Sequence, residues 1–232
     1  MSYRILFQDK HLVATSKPGG LLVHRSARSS DRVFLLQELR NQIKKRVYPI
    51  HRLDRQASGV MVFALSSKDA KALQAAMAAE STKKQYLCFA RGHSKDEFSI
   101  DRPLTNRSKG KKGEKQEART DFNTIWRGRI GEGLDCSLLY ARLHTGRHHQ
   151  IRRHLAGETH FIFGDSNYGK GGINNFLRET YELPRMFLHA TRLELDHPIT
   201  GERLELFDPL PDDLRAFWER VTELPAAIVE KL

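Results

Sequence analysis

The sequence predicts an α+β protein with mixed sheets, in which strands outnumber helices. Stretches rich in β-branched and aromatic residues are more numerous than stretches with helical periodicity. Many of the predicted strands follow one another after short turns, which is how antiparallel neighbours are connected. Strands and helices do not alternate along the chain, so a regular βαβ succession is not expected.

The N-terminal part of the chain is predicted to hold a hairpin, two helices and two further strands. Asp31 is expected to cap the first helix, and Ser66 or Ser67 the second, because short polar side chains accept hydrogen bonds from free amide groups. Basic residues in the last turn of the first helix suit the negative end of its dipole. The expected ranges are 5–15 for the hairpin, 32–46 and 68–80 for the helices, and 60–65 and 83–90 for the strands.

The C-terminal part is predicted to hold four strands, two helices and two loops. Residues 106–118 are nearly all Lys, Gly, Glu, Gln and Ser, so we expect a mobile basic loop there. Residues 164–175 are expected to form a Gly-rich loop, whose spacing is not that of a P-loop or a dinucleotide fingerprint. The other expected ranges are 119–127, 134–143, 186–195 and 203–207 for strands, 149–156 for one helix, and the residues after Pro211 for the other.

The charge balance indicates a protein that binds nucleic acid. The chain has 39 Lys and Arg against 28 Asp and Glu, which gives a formal net charge of +11 at pH 7. A strongly basic surface attracts phosphate backbones, although charge alone separates neither DNA from RNA nor an enzyme from a binding module. An anionic membrane surface is the weaker alternative, because no strongly amphipathic basic helix stands out.

Targeting signals and cysteine usage favour a cytosolic protein. No stretch approaches the roughly 18 apolar residues of a membrane span. The N-terminal residues reach a charge too soon for a secretory signal. With only Cys88 and Cys136, neither a disulfide framework nor a structural zinc site is indicated.

The stretch that points most directly to chemistry is HRLDRQASG, at residues 51–59, which precedes a predicted buried strand. Its carboxylate, Asp54, stands between Arg52 and Arg55, and nearby positive charge favours the ionised form. An ionised carboxylate is suited to act as a nucleophile or a base rather than as a general acid. The alternative is a loop Asp held in surface ion pairs.

A second motif, TGRHHQIRRHL, occupies residues 145–155 and runs into a predicted helix. Its three histidines suggest a metal site, but the flanking arginines repel a divalent cation, so no metal is expected. The plainer alternative is a basic helix end on a solvated face. In the strand at 83–90, Tyr86 either offers its ring to a nucleic-acid base or lies half in the core.

Together these motifs resemble those of the RluA-type pseudouridine synthases. HRLDRQASG is similar to the signature that carries the catalytic Asp of that family, with Ala57 where Thr is usual. TGRHHQIR is similar to its TGR-x-HQ-hydrophobic-R motif, and KQY at 84–86 is similar to its KxY strand. The stretches KPGGLLVH, GDSNYG and HPITGE also match family motifs, in the same order.

The resemblance implies the pseudouridine synthase fold, with a large, mostly antiparallel sheet, flanking helices and a central cleft. It implies that Asp54 is the catalytic residue, that Arg152 pairs with it, and that Tyr86 stacks on the base. The implied reaction isomerises uridine to pseudouridine within RNA and needs no cofactor. The further residues expected to bind RNA are His51, Arg52, Arg55, Arg147 and Gln150.

Two stretches, VHRS at 23–26 and RHHQIRRHL at 147–155, are similar to a branch of the family that modifies uridine 65 of transfer RNA. Transfer RNA is therefore the expected partner, with ribosomal RNA as the alternative. We expect a monomer with one catalytic domain over 1–232, no N-terminal S4-like module, and neither a membrane nor an obligate protein partner. A non-catalytic RNA-binding protein is the alternative class. A hydrolase is not indicated, because the sequence has no GxSxG motif.

Overall fold

The computed structural model describes residues 2–25, 30–106 and 113–225. The strands in these residues are β1 Ile5–Gln8, β2 Leu12–Lys17, β3 Tyr48–Pro49, β4 Ser58–Ala64, β5 Lys83–Arg91, β6 Glu97–Asp101, β7 Leu104–Thr105, β8 Lys115–Gln116, β9 Arg119–Ile130, β10 Leu134–Leu143, β11 Leu188–Asp196 and β12 Arg203–Phe207. The helices are α1 Leu35–Ile43, α2 Ser67–Ala78, α3 Gln150–Gly157, α4 Gly171–Tyr181 and α5 Asp212–Thr222. The predicted α+β class with mostly antiparallel pairing is confirmed.

The first helix is shorter than predicted, and Asp31 does not cap it. Helix α1 begins at Leu35, where no side chain caps the N terminus. Its first amide groups instead donate to the backbone carbonyls of residues 22–23. The helix ends at Ile43, and the next residue, Lys44, adopts a left-handed conformation with φ 53°. Backbone contacts with a distant segment therefore replace the side-chain cap that the local sequence predicts.

The prediction of a loop over residues 164–175 is wrong in its last part, because α4 begins at Gly171. The side chain of Asn174 is buried and anchors this end of the helix. Its Nδ2 donates to the carbonyl of Asp165 at 3.0 Å. These tertiary contacts outweigh the low helix propensity of the two glycines in the first turn.

Part of the segment 106–118, which is predicted to be a mobile loop, forms a short strand, and its mobility stays a prediction. Lys115–Gln116 form β8, which pairs with β7 in antiparallel register, Leu104 opposite Gln116. Residues 107–112 of this segment lie outside the described residues.

The chain divides into two compact units, and the first comprises Met1–Lys84 and Ala190–Pro209. Its strands follow the order β1-β2-β4-β11, with β12 paired to β11 and β3 paired to β4. Strand β4 is buried along its whole length, which explains its continuous apolar sequence. The strands and α2 share a core of Leu12, Ala14, Ile50, Val60, Val62, Ala64, Leu73, Met77, Leu193, Leu195, Leu204 and Leu206.

The second unit comprises Gln85–His189 and Leu210–Leu232, and its strands follow the order β5-β10-β9-β6. Aromatic residues dominate its core. The ring of Phe89 lies edge-on to Phe163, Phe187 and Trp218, with centroid distances of 5.0, 5.5 and 5.4 Å. Such edge-to-face pairs stabilise a core beyond the area they bury. None of the helices in the described part of the chain is long and apolar enough to cross a membrane.

Candidate functional site

Asp54 lies in a tight turn of the first unit, immediately before β4. Its side chain is partly buried, and its carbonyl accepts a hydrogen bond from the amide of Ala57 at 3.1 Å. Two residues further on, Gly59 has a φ of +118°, and a Cβ atom there would lie 2.2 Å from the carbonyl oxygen of Ala190. Only glycine fits this close approach. A buried strand therefore fixes the position of the turn that carries the carboxylate.

A buried lysine fastens the same turn. Lys17 is 0% exposed, and its Nζ donates to the carbonyls of Pro18 at 2.8 Å, Arg55 at 3.2 Å and Ala57 at 2.7 Å. A buried ammonium group is tolerated only where its N–H groups find acceptors. Sequence reasoning placed Lys17 in a family motif without giving it a role, because a lysine at the end of a strand normally points to solvent.

Both arginines that flank Asp54 are exposed. Arg55 turns towards a neighbouring loop, where its Nη2 donates to Oδ1 of Asp31 at 2.9 Å and its Nε donates to the carbonyl of Gly20 at 3.0 Å. These bonds join the turn to the loop that follows β2. The contacts with RNA expected of Arg52 and Arg55 stay predictions.

His51 has a structural contact on the strand side of the turn. Its Nε2 accepts a hydrogen bond from the amide of Val62 at 3.1 Å. Burial, together with the positive charge of Lys84, lowers the pKa of His51 to about 4. The imidazole is therefore neutral at pH 7, as its role as an acceptor requires. Its expected contact with RNA stays a prediction.

This histidine should make the stability of the protein depend on pH. The pKa of His51 is about 4 in the folded chain against 6.5 ordinarily, so the unfolded chain takes up the proton first as the pH falls. The free energy of unfolding therefore decreases between pH 6.5 and pH 4, by about 1 kcal/mol from pH 7 to pH 5 after allowance for partial exposure. Urea unfolding at both pH values measures this difference.

The control for this prediction is His51→Gln, which keeps an acceptor but cannot titrate. The variant should show a smaller loss of stability between pH 7 and pH 5 than the wild type. Equal losses in the two proteins would show that other groups cause the pH dependence.

In the second unit, Gln150 organises the TGRHHQIRRHL motif. Its Oε1 accepts hydrogen bonds from the hydroxyl of Thr145 at 2.7 Å and the amide of Arg147 at 3.0 Å. Its Nε2 donates to the carbonyl of Arg119 and to the hydroxyl of Thr120, both at 2.9 Å. The side chain is buried and fixes the turn before α3. Its expected contact with RNA stays a prediction.

Two arginines of the motif hold the segments around the β7–β8 hairpin. Nε of Arg147 donates to the carbonyl of Glu117 at 2.9 Å, just after β8. Nη1 of Arg153 donates to the carbonyl of Thr105 at 3.1 Å, at the end of β7. Arg147 therefore has a structural contact, and its expected contact with RNA stays a prediction.

Arg152, on the first turn of α3, forms a buried ion pair with Asp165. Its Nε and Nη2 donate to the two carboxylate oxygens of Asp165, each at 2.8 Å. Asp165 also accepts hydrogen bonds from the amides of Asn167 at 2.8 Å and Tyr168 at 3.1 Å. Burial opposes ionisation of Asp165, but the hydrogen bonds and charge of Arg152 outweigh it and lower the pKa of the carboxyl group. The guanidinium carbon lies 5.1 Å from the centroid of the Tyr168 ring.

Sequence reasoning missed this role of Asp165. The residue belongs to the GDSNYG motif, so a conspicuous carboxylate was visible, but nothing local shows that α3 supplies its partner. The pairing of Arg152 with Asp54 that the family implies would join residues of the two units, and it stays a prediction. Tyr86 lies partly buried on β5, in the second unit, and its stacking on a base also stays a prediction.

The last histidine of the motif is structural. His154 is buried, with Nε2 at 3.1 Å from the carbonyl of Arg102 and Nδ1 at 2.9 Å from the hydroxyl of Thr120. Because a carbonyl only accepts, Nε2 carries the proton and Nδ1 accepts from Thr120. Burial lowers the pKa of His154. Within the described ranges, no group of three or more His, Cys, Asp or Glu residues is placed to hold a metal ion.

Comparison with known proteins assigns the class. The model of the RNA pseudouridylate synthase family matches residues 11–157. The chain belongs to this family, whose members isomerise uridine to pseudouridine in RNA. Among its curated relatives, proteins named tRNA pseudouridine synthase C are 39% identical over 220 residues in Pasteurella multocida and 35% identical over 231 residues in Vibrio parahaemolyticus. The alignment with the Pasteurella multocida protein covers 89% of this chain and 90% of that protein. The alignment with the Vibrio parahaemolyticus protein covers 93% of this chain and 94% of that protein.

Solved structures agree with the fold. Human RNA pseudouridylate synthase domain containing 4 superposes with a TM-score of 0.73 at 24% identity, covering 96% of this chain and 94% of that one. Human RNA pseudouridylate synthase domain containing 1 gives the same TM-score of 0.73 at 22% identity, covering 90% and 84%. These structures confirm the predicted fold. The family match and the curated relatives confirm the predicted enzyme class.

Proposed function

We propose that this pseudouridine synthase acts on transfer RNA, at uridine 65. The observation that carries the proposal is the likeness to proteins named tRNA pseudouridine synthase C, which extends over most of both chains. The VHRS and RHHQIRRHL stretches support the same branch. The predictions of a cytosolic location and a monomeric state accompany the proposal.

In the proposed reaction Asp54 is the catalytic residue. The N1–C1′ bond of the uridine breaks, the uracil turns, and C5 bonds to C1′. C5 loses its proton and N1 ends protonated, so the product is an isomer of the substrate. Asp54 either attacks the sugar or removes a proton from it, and both routes require the carboxylate in its ionised form.

The supporting roles follow the family motifs. We propose that Arg152 keeps Asp54 ionised and aligned, and that Tyr86 stacks on the uracil. Extruding the base from its stack costs a few kcal/mol. The net charge of +11 supports binding of the phosphate backbone while the base is extruded. The RNA-binding residues proposed with them are His51, Arg52, Arg55, Arg147 and Gln150.

The choice of substrate is tested by offering the purified protein total transfer RNA and protein-free ribosomal RNA in parallel. We expect pseudouridine at position 65 of transfer RNA and none in ribosomal RNA, because the shape of the RNA and the bases beside the target select the substrate. Pseudouridine mapping by sequencing reads out every position.

Two controls sharpen the result. A transfer RNA with cytidine at position 65 should give no product, since the reaction requires uracil. Product in ribosomal RNA alone would contradict the transfer RNA proposal and leave the synthase class intact.

A further inference from the structure

Two stacked histidines lie at the surface end of a series of side chains that leads to Arg152 in the second unit. The ring of His148 is exposed and lies on the ring of His149, with centroids 3.7 Å apart and planes at 22°. His149 in turn lies edge-on to Tyr168, with its Nδ1 3.2 Å from the tyrosine hydroxyl. The Tyr168 ring lies beside the guanidinium of Arg152. A continuous series of flat side chains therefore leads from the surface to the buried arginine.

The backbone holds this stack in a fixed orientation. His149 precedes α3 in a left-handed conformation with φ 53. This left-handed conformation is uncommon for a residue with a side chain. Nη1 of Arg153 donates to the carbonyl of His148 at 3.4 Å. The exposed imidazole therefore has a position set by its neighbours, unlike an ordinary surface side chain.

We propose that the exposed face of His148 is a stacking surface for an unpaired RNA base next to the target uridine, supported by His149 and Tyr168. The proposal rests on the proposed function, in which Arg152 acts at the target uridine, because the His148 ring is connected to Arg152 through His149 and Tyr168. When one nucleotide is extruded, its neighbours lose a stacking partner. Flat aromatic side chains replace such a partner on any base, because every base has a π face. An arranged pair of rings is suited to this role because little side-chain freedom is lost on binding.

The competing role is contact with phosphate through a protonated His148. Shape and charge separate the two roles, because phenylalanine keeps the flat ring without charge and lysine keeps charge without the ring. The test measures kcat and KM of His148→Ala, His148→Phe and His148→Lys on the RNA that the wild type modifies. His144→Ala is the matched control, since His144 is exposed on the same segment and contacts Asp121 at 2.6 Å.

We expect His148→Ala to raise KM by about 5- to 100-fold with kcat within about twofold. His148→Phe should restore KM to within about twofold of the wild type, while His148→Lys should resemble the alanine variant. His144→Ala should leave both constants unchanged. Rescue by lysine and not by phenylalanine would overturn stacking in favour of a phosphate contact. An unchanged KM in all three variants would overturn any contact with RNA.

A second measurement uses RNA with an abasic nucleotide on either side of the target. At the stacked position, loss of the base should raise KM relative to intact RNA for the wild type and for His148→Phe. For His148→Ala, the KM should be the same on abasic and intact RNA, because the stacking contact is already lost. Equal effects in all three proteins would overturn the proposal. The wild-type reaction on intact RNA tests the proposed function separately, because its failure would appear before any variant is compared.

Discussion

Asp54→Asn is expected to abolish pseudouridine formation and to leave RNA binding within a few-fold of the wild type. The amide has nearly the shape of the carboxylate, but it neither attacks the sugar nor takes a proton from it. We expect kcat to fall by at least ~10³-fold, as when a nucleophile or general base is removed. Binding should persist because many phosphate contacts share it. Single-turnover conversion and equilibrium RNA binding measure the two effects.

The matched control is Asp31→Asn, which removes a carboxylate beside the same turn. Asp31 contacts Arg55, so its loss affects the surroundings of the turn without touching the proposed reacting group. We expect its kcat to stay within a few-fold of the wild type. Appreciable turnover by Asp54→Asn, or an equal loss in both variants, would remove Asp54 from the catalytic role.

The sequence predicted best the elements whose signals are local. Ser66 caps α2 as expected, accepting a hydrogen bond from the amide of Asp69 at 3.0 Å. The strand predicted at 134–143 corresponds to β10, which pairs with β9 over its whole length. A cap and a strand-forming composition depend on residues a few positions apart, so one stretch of sequence contains the whole signal.

The sequence could not predict contacts made by distant segments. Gln150 belonged to a recognised motif, yet its partners Arg119 and Thr120 lie about 30 positions earlier, on β9. Lys17 fastens a turn that follows it by about 40 residues. Helix α4 begins at two glycines because buried contacts stabilise it, against its local propensity. A motif therefore identifies residues that act together, whereas the fold decides which of them hold the others in place.

Asp165→Asn is expected to have the largest effect on stability. The substitution leaves Arg152 buried, with one of its two carboxylate hydrogen bonds lost and its charge unbalanced. Removing one partner of a buried pair lowers the free energy of unfolding by about 3–5 kcal/mol. Because folding lowers the pKa of Asp165, the pair contributes its full stabilisation at pH values above the ordinary pKa of 3.8. This stabilisation is lost as the pH falls below 3.8 and Asp165 becomes protonated. Urea unfolding at pH 7 measures the loss.

The matched control is Asp213→Asn, which breaks a pair of the same geometry in the same unit. The arginine of this pair is 7% exposed, as in the Arg152 pair, but its carboxylate is accessible to water. Asp213 accepts from Nε and Nη2 of Arg185 at 2.6 and 3.0 Å, but its side chain is 42% exposed. Because water reaches the carboxylate end of this pair, we expect a smaller loss of the free energy of unfolding than in Asp165→Asn. If Arg152 takes part in the reaction, Asp165→Asn also lowers kcat at a temperature where it is fully folded, and Asp213→Asn does not. Equal losses of the free energy of unfolding in the two variants would show that burial does not strengthen the Arg152–Asp165 pair. An unchanged kcat in Asp165→Asn would show that Asp165 does not position Arg152 for catalysis.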